Sequence, residues 1–288
     1  MWPFSSRPTV PVLRFSGPIG MATPLRPGLS IGVVAGALEK AFSASRLESV
    51  AIVINSPGGS PVQSNLIFRR IRQLAHEKKK KVYVFCEDVA ASGGYFLAVA
   101  GDEIYADPSS IVGSIGVISA GFGLDKAIEK LGIERRVYTA GLNKGSLDPF
   151  LPEKADDVAR LVAIQKDVHE VFKGIVAERR RGKLKGDDGE LFSGAFWSGG
   201  RAVELGLVDG LSDLRTKMVE LHGDKVRLRP IPLGGGGLLS RLFRAPSLAA
   251  RGNLGSLAAG MAATGQSSLG TDILSTLEER ALWQRYGL

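Results

Sequence analysis

Ser92 is the side chain of this sequence whose surroundings best suit a nucleophile. An apolar, β-rich run, Val82 to Cys86, precedes it, and Gly93 and Gly94 follow it at the start of an apolar helical stretch. A helix N-terminus offers free backbone N–H groups and partial positive charge, and glycines let a substrate carbonyl approach closely. These are the needs of an acyl-transfer nucleophile. The alternative is that Ser92 is only a helix N-cap, a common use of serine.

A nucleophilic serine needs a base, and the three histidines of the chain stand far apart without any paired spacing. Lysine can serve when burial lowers its pKa enough to leave a neutral amine near neutral pH. Lys144 lies in a loop whose flanks are small and apolar, which makes it a candidate for such a base. Leu142, Leu147 and Phe150 would supply the apolar surroundings, and the hydroxyl of Ser114 would hold the amine in place.

Two successive strand, turn and helix units indicate how the site is positioned. Ser49 to Asn55 is an apolar β-branched run, residues 56–60 hold a proline and two glycines, and Pro61 to Glu77 has helical spacing. The unit around Ser92 repeats this pattern, which predicts an α/β fold with a parallel sheet and right-handed crossovers. Both Gly-rich turns then fall at the carboxyl ends of strands and are expected to be neighbours.

The rest of the chain continues in alternating elements. Hydrophobic periodicity predicts strands at Glu103–Ala106, Ile133–Thr139 and Val226–Ile231, and helices at 123–132, 152–181 and 214–221.

Three regions follow from this pattern. Residues 1–30 are an N-terminal segment, residues 31–233 form a single catalytic domain, and residues 234–288 are a tail that begins with four glycines. Two pieces of the tail, Leu238–Arg251 and Asp272–Tyr286, have the pattern of amphipathic helices. Such a tail is more often an extension or a subunit contact than a membrane anchor.

Composition narrows the class of protein. The chain has 288 residues, 44% of them hydrophobic, and a net charge of +8. Two short runs, Lys78–Lys81 and Arg179–Lys185, carry much of the basic excess, and neither is interleaved with aromatic residues as a single-strand binding surface would be. We therefore expect solvated helix ends and no nucleic-acid partner.

The cysteine and histidine content argues against a disulfide and against a metal site. The single cysteine, Cys86, excludes an intramolecular disulfide and lies in an apolar strand, which favours a buried structural thiol. The histidine spacing predicts no metal site, and we expect no cofactor.

The sequence shows neither a signal peptide nor a membrane-spanning run, which predicts a cytoplasmic location and leaves peripheral contact with the inner membrane as an alternative.

Five motifs in order carry a resemblance to a known family. They are Asn55-Ser-Pro-Gly-Gly59, Ala91-Ser-Gly-Gly-Tyr95, Val112-Gly-Ser-Ile-Gly-Val117, the Lys144 loop ending in Pro149-Phe150, and Ala202-Val-Glu-Leu-Gly-Leu-Val-Asp209. Together they resemble the S49 peptidases, the signal peptide peptidase A group of the ClpP/crotonase superfamily, over about residues 49–211. This resemblance implies a ClpP/crotonase-like fold.

The resemblance also implies a role for each matching residue. Ser92 is expected to be the nucleophile, Lys144 the general base 52 residues downstream, and Ser114 the serine that orients the lysine. The backbone N–H groups of Gly59 and Gly93 are expected to form the oxyanion hole.

Substrate and assembly follow from the same resemblance. Gly58, Ile115 and Gly116 are expected to bind substrate. The implied reaction is acyl-enzyme hydrolysis of extended peptides with small or apolar side chains, including signal-peptide remnants, by a homo-oligomer shaped as a ring or dome. Family members usually begin with a transmembrane anchor, and no such run is predicted in this sequence.

Two other functions fit parts of the pattern. A crotonase-like enzyme acting on acyl-CoA thioesters would share the fold and the oxyanion glycines but would not need Ser92 and Lys144 together. A non-catalytic oligomeric scaffold would use the basic tail to contact a membrane or a partner.

Overall fold

The computed structural model describes residues 7–21, 28–234 and 280–287. The predicted helix at Leu238–Arg251 and most of the one at Asp272–Tyr286 lie outside these ranges. Residues 280–284, at the end of the second prediction, are helical.

A mostly parallel, eight-stranded sheet forms the centre of the described structure. Its path runs β6, β5, β3, β2, β1, β8, with β4 pairing to β3 and to β7, and β5 with β6 is the antiparallel pair. The strands are β1 (Thr9–Ser16), β2 (Ser49–Ser56), β3 (Lys81–Ala91), β4 (Glu103–Ala106), β5 (Ile111–Gly113), β6 (Phe196–Ser198), β7 (Gly210–Leu211) and β8 (Arg227–Pro230). The predicted α/β class and parallel sheet are confirmed.

Helices connect the strands. They are α1 (Ile31–Ser43), α2 (Pro61–Glu77), α3 (Gly93–Ala98), α4 (Asp125–Lys130), α5 (Ala155–Arg179), α6 (Asp188–Leu191), α7 (Gly199–Glu204) and α8 (Leu214–His222). The predicted helices at 61–77, 123–132, 152–181 and 214–221 correspond to α2, α4, α5 and α8.

Strand β2 is buried on both faces, as its continuous apolar run predicts. Ile52 and Ile54 join the larger core, to which α1, α2 and α3 contribute. Ala51 and Val53 face the other side and join a smaller core that includes Met218 of α8. Full burial of one such isoleucine stabilises the fold by about 1.5–3 kcal/mol, so β2 anchors the sheet beneath the site.

Strand β3 is long because it serves two neighbours: its first half pairs with β4 and its second half with β5. The register between β2 and β3 shifts after Ile54. Asn55 spans this irregularity, because its amide donates to the Asp88 carboxylate at 2.6 Å and accepts from the Val89 N–H at 3.2 Å. The asparagine of the first motif therefore fixes the strand that ends directly before Ser92.

The last motif is explained by a buried network below the helix that follows Ser92. Arg180, which is 2% exposed, donates to the Gly206 carbonyl at 2.7 and 2.9 Å and to the Asp209 carboxylate at 2.8 Å. The hydroxyl of Tyr95 donates to the Leu207 carbonyl at 2.7 Å. These bonds join α3 and the end of α5 to the turn after α7.

The N-terminal segment and one predicted strand differ from the expectations. Residues 9–16 form β1, which pairs with β2 and β8, so the sheet includes residues of the expected N-terminal segment. The strand predicted at Ile133–Thr139 was wrong: this stretch is an exposed loop. Its alternation of apolar and polar residues is real, but no strand of the described structure pairs with it, and an isolated strand leaves its backbone groups unbonded.

Candidate active site

Ser92 lies at the sharp corner between β3 and α3. Its backbone has φ +51° and ψ −121°, a region that non-glycine residues seldom adopt, and its N–H donates to the Gly113 carbonyl at 2.8 Å. Strain of this kind, on the order of 1–3 kcal/mol, is typical of functional corners. The side chain makes no capping hydrogen bond although it stands at the N-cap position. The N-cap interpretation therefore does not account for Ser92.

Two backbone N–H groups come together beside Ser92. Gly59 pairs with Ile19 through bonds of its neighbours: Ile19 donates to the Gly58 carbonyl and Ser60 donates to the Ile19 carbonyl, both at 2.8 Å. The N–H of Gly59 takes no part in this pairing. Gly93 begins α3, where N–H groups have no partner within the helix.

The two glycines could not be replaced without displacing this pair. A Cβ placed on Gly93 would lie 3.2 Å from the Gly59 nitrogen, and one placed on Gly59 would lie 2.2 Å from the Ile19 carbonyl oxygen. Gly59 also has φ +138°, in the region that favours glycine. The two Gly-rich turns are therefore neighbours, as predicted, and present two donors of the kind an oxyanion hole needs.

A cavity of about 560 Å³ opens in front of Ser92. Gly59, Gly93 and Gly116 line it together with Ser92, and most of the remaining wall is apolar. This is the size and character of a site for a small ligand or a short stretch of peptide.

The residues expected to bind substrate have different positions. Gly116 lines the cavity. Gly58 packs behind the site, because a Cβ placed on it would lie 2.8 Å from the Cβ of Ser92. The side chain of Ile115 is fully buried, and its carbonyl lies 3.0 Å from Nε2 of His169. A direct role for each of the three in binding stays a prediction.

Ser114 lies beside Ser92 because their strands are in register. Ala91 pairs with Gly113 across β3 and β5, and each serine is the next residue along its chain. Ser114 is 3% exposed and has φ +53°. Its hydroxyl accepts a hydrogen bond from the hydroxyl of Tyr286 at 3.2 Å.

Lys144 lies elsewhere in the single chain. It is exposed, it is not among the residues that line the cavity, and no hydrogen bond in the described residues joins its amine to either serine. The expected apolar surroundings are not formed either, since Leu142 is fully exposed. The sheet positions Ser92 and Ser114 through backbone bonds, whereas no hydrogen bond among the described residues joins the loop of Lys144 to either serine. The role of Lys144 as base stays a prediction.

Sequence reasoning missed two parts of the cavity wall. Val168, Val171 and Phe172 of α5 line it, and so do Leu282 and Arg285 from the segment 280–287. The amphipathic pattern of α5 marked its apolar side but not what that side faces. The sequence carries no signal that residues near position 285 return to the site.

Other groups of the described structure do not add reactive chemistry here. Burial raises the pKa of the Cys86 thiol to about 12, which suits a structural role. Burial likewise raises the pKa of Tyr95.

No helix among the described residues has both the length and the apolar character needed to cross a bilayer.

Comparison with protein families gives two matches. The model of Peptidase family S49 matches residues 75–226, which is just over half of the chain. The model of Clp protease matches residues 34–111, the part that contains β2, β3 and the turns around Ser92.

Curated relatives fall into two groups. The chain is 55% identical over 97% of its length to a protein of Brucella abortus named Na(+)/H(+) antiporter NhaA, and this match spans only 37% of that protein. It is 32% identical over 80% of its length to slr0021 of Synechocystis sp., a protein named as a protease, 82% of which is covered. It is 31% identical over 70% of its length to the chloroplastic serine protease SPPA of Arabidopsis thaliana, 29% of which is covered.

Proposed function

The chain belongs to peptidase family S49, and from this membership and the geometry around Ser92 we propose that it is a serine endopeptidase. Ser92 is the nucleophile, Lys144 the general base, and Ser114 the residue that orients the lysine. The N–H groups of Gly59 and Gly93 form the oxyanion hole.

The observation that carries this proposal is the conformation of Ser92. Ser92 is held at φ +51° and lines a cavity, and its side chain makes no capping hydrogen bond that would compensate for the strain. Two backbone N–H groups beside it supply the stabilisation that a tetrahedral intermediate needs, an effect worth roughly 10²- to 10³-fold in rate per donor.

The first half of the reaction forms an acyl-enzyme. The neutral amine of Lys144 accepts the proton of the Ser92 hydroxyl while Oγ attacks the scissile carbonyl carbon. The carbonyl oxygen becomes an oxyanion that accepts hydrogen bonds from the Gly59 and Gly93 N–H groups. The C–N bond then breaks, and the ammonium of Lys144 protonates the leaving amine.

The second half hydrolyses that ester. A water molecule gives one proton to the amine of Lys144 and attacks the acyl carbon, again with the oxyanion held by the two glycines. The ester bond to Ser92 breaks, Oγ takes the proton back from Lys144, and the carboxylic acid product leaves. The enzyme returns to its starting protonation state.

Assembly is the step that brings Lys144 to Ser92 in this proposal. Of the nineteen large apolar side chains that are exposed in the described part of the chain, eleven lie between residues 117 and 151, the segment that carries Lys144. A concentration of exposed apolar side chains of this kind is typical of an interface between proteins. We therefore propose a homo-oligomer in which this segment packs against a second copy and becomes buried.

Mixing two inactive variants tests the role of assembly. Chains with Ser92→Ala and chains with Lys144→Ala are each expected to be inactive, and a co-refolded mixture is expected to regain activity if Lys144 serves a neighbouring copy.

Leu142→Asp should shift the protein to smaller species in size-exclusion chromatography, whereas Leu221→Asp, an exposed leucine on α8, should not. A Leu142→Asp protein of unchanged size would contradict the proposed interface.

The substrate is an extended peptide with small or apolar side chains near the cut, including remnants of signal peptides. The largely apolar wall of the cavity and its volume of about 560 Å³ support this choice. No metal or cofactor takes part in the proposed chemistry.

A panel of quenched fluorescent peptides, with products identified by mass spectrometry, tests the function directly. Cleavage by the wild-type protein, with an acyl adduct of the peptide on Ser92 during turnover, is the expected result. Acyl-CoA thioesters assayed in parallel serve as the comparison: their turnover without peptide cleavage would favour the crotonase-like alternative. Turnover of neither substrate class by the folded assembly would favour a scaffold.

A further inference from the structure

The segment 280–287 is packed into the sheet next to the catalytic serines. Tyr286 is only 7% exposed, and its ring belongs to one apolar cluster with Val89 and Ala91 of β3. The ring also meets Phe196 of β6 edge to face, with 5.2 Å between the ring centres. Val89 and Ala91 lie directly before Ser92 in the chain, so Tyr286 is anchored against the strand that carries the nucleophile.

The hydroxyl of Tyr286 is hydrogen-bonded to the Ser114 hydroxyl, the group that orients Lys144 in the proposed mechanism. It donates to Oγ of Ser114 at 3.2 Å in a buried position. A lysine amine held by Ser114 would have to approach that same oxygen. While Tyr286 is in place, its ring and hydroxyl fill part of the space next to Ser114.

The same segment extends to the nucleophile. Leu282 and Arg285 form part of the wall of the cavity that contains Ser92. The backbone of this segment is helical rather than extended. The Arg285 backbone N–H donates to the Ala281 carbonyl at 3.2 Å, and the Tyr286 backbone N–H donates to the Trp283 carbonyl at 2.9 Å. A folded backbone presents no extended peptide to Gly59 and Gly93, so the segment can stay bound without being cut.

We propose that residues 280–287 are a tethered segment that packs against the catalytic cavity and holds the enzyme latent, with Tyr286 taking the Ser114 hydroxyl in place of Lys144. This inference rests on the proposed function. Activation requires the segment to leave, which opens the cavity and frees Ser114 to receive the amine.

Removal of the segment tests the proposal. A chain lacking residues 280–288 should cleave peptides with a kcat/KM at least about tenfold above that of the full chain, because a tethered ligand has an effective concentration near the millimolar range. A synthetic peptide of the sequence RALWQRYGL should inhibit the shortened enzyme competitively. Equal kcat/KM for the two chains would overturn the proposal.

Tyr286→Phe is the sharper variant because it keeps the buried ring and removes only the hydroxyl. Loss of one hydrogen bond of about 1 kcal/mol should raise kcat/KM about fivefold. Tyr83→Phe, which alters a buried tyrosine near the start of β3 in a different apolar cluster, should leave kcat/KM unchanged. A fall in kcat/KM for Tyr286→Phe, with an unchanged melting temperature, would make Tyr286 a positioning residue for Ser114 and contradict latency.

Labelling with a serine-directed acylating probe separates the two proposals. Faster labelling of Ser92 in the shortened chain than in the full chain supports latency. Equal labelling in both would leave the peptidase function standing and overturn latency. Absence of labelling in both would reject the proposed function itself.

Discussion

The turns around Ser92 and the segment 117–151 with Lys144 are stabilised in opposite ways. Ser92, Gly59 and Gly93 are held by the ends of buried parallel strands and by backbone hydrogen bonds within one chain. The segment around Lys144 has one short helix, α4, and exposes most of its large apolar side chains. The proposed nucleophile and oxyanion donors are thus positioned within a single copy, whereas the proposed base, Lys144, is exposed and does not line the cavity.

This contrast separates two kinds of catalytic group. An oxyanion hole made of backbone N–H groups needs only correct strand register and glycines where chains approach closely. A lysine base needs an apolar environment that lowers its pKa, and that environment must come from packing around a long side chain. Here the sheet positions Gly59 and Gly93 as the first requirement demands, and in the proposed assembly the second is met by contacts with a neighbouring copy.

The largest expected effect comes from the nucleophile. Ser92→Ala should lower kcat/KM for peptide hydrolysis roughly 10⁴-fold or more, because no acyl-enzyme can form. The fold should keep its melting temperature, since the Ser92 side chain makes no capping bond. Ser109→Ala, at an exposed serine, is the matched control and should retain activity. A Ser92→Ala protein with wild-type turnover would remove the nucleophile assignment.

The next largest effect comes from the base. Lys144→Ala should lower kcat/KM about 10²- to 10⁴-fold, the usual contribution of a general base. Lys126→Ala removes another exposed lysine of the same segment, on α4, and should be close to neutral. Steady-state kinetics of both variants decide the point: if they lose activity equally, charge on the segment matters rather than a specific amine.

A smaller effect is expected at the oxyanion donors. Gly93→Ala places a Cβ 2.6 Å from Oγ of Ser64 and 3.2 Å from the Gly59 nitrogen, which must displace the donor pair. We expect kcat to fall roughly 10²- to 10³-fold with little change in KM. Adding Ser64→Ala removes the nearest atom and should recover part of the loss. No recovery in the double variant would mean that the contact with Ser64 is not the cause.

The smallest effect on catalysis, with a clear effect on stability, concerns Asp209. Burial raises the pKa of this carboxyl, but hydrogen bonds from Arg180 and Lys183 outweigh burial and leave the pKa below its usual value. A carboxyl with a lowered folded-state pKa stabilises the protein above its unfolded pKa, and this stability is lost as the pH falls through the folded value.

Urea unfolding as a function of pH measures that contribution. Asp209→Asn should cost about 1.5–3 kcal/mol at neutral pH and should reduce the loss of stability seen on acidification. Asp224→Asn, at an exposed carboxyl, is the control. Identical acid dependence of Asp209→Asn and wild type would show that the Arg180 network does not govern acid stability.

Much of the fold and part of the site could be predicted from the sequence. The runs that became β2 and β3 are apolar over their whole length, and the Pro and Gly turns after them have few backbone alternatives. These features locate Ser92, Gly59 and Gly93 without knowledge of distant contacts. Ser114 was singled out from its Gly-rich stretch and the family resemblance, and the pairing of β5 with β3 that brings it beside Ser92 was not predicted.

The remainder depends on tertiary contacts that leave little trace in local sequence. The alternation at Ile133–Thr139 predicts a strand, but no strand of the described structure pairs with it. The apolar flanks of Lys144 suggested burial, yet Leu142 is fully exposed in the single chain. The return of Tyr286 to Ser114 joins residues 172 positions apart, and no local pattern encodes such a contact.

The most direct test of the account is the rate at which a serine-directed acylating probe labels Ser92 between pH 5 and pH 10. Wild type and Lys126→Ala are expected to label at Ser92 alone, with a rate that rises as a lysine ammonium loses its proton, and Lys144→Ala is expected to lose this pH-dependent labelling. Labelling of Lys144→Ala with the rate and pH dependence of wild type would contradict the dyad of Ser92 and Lys144.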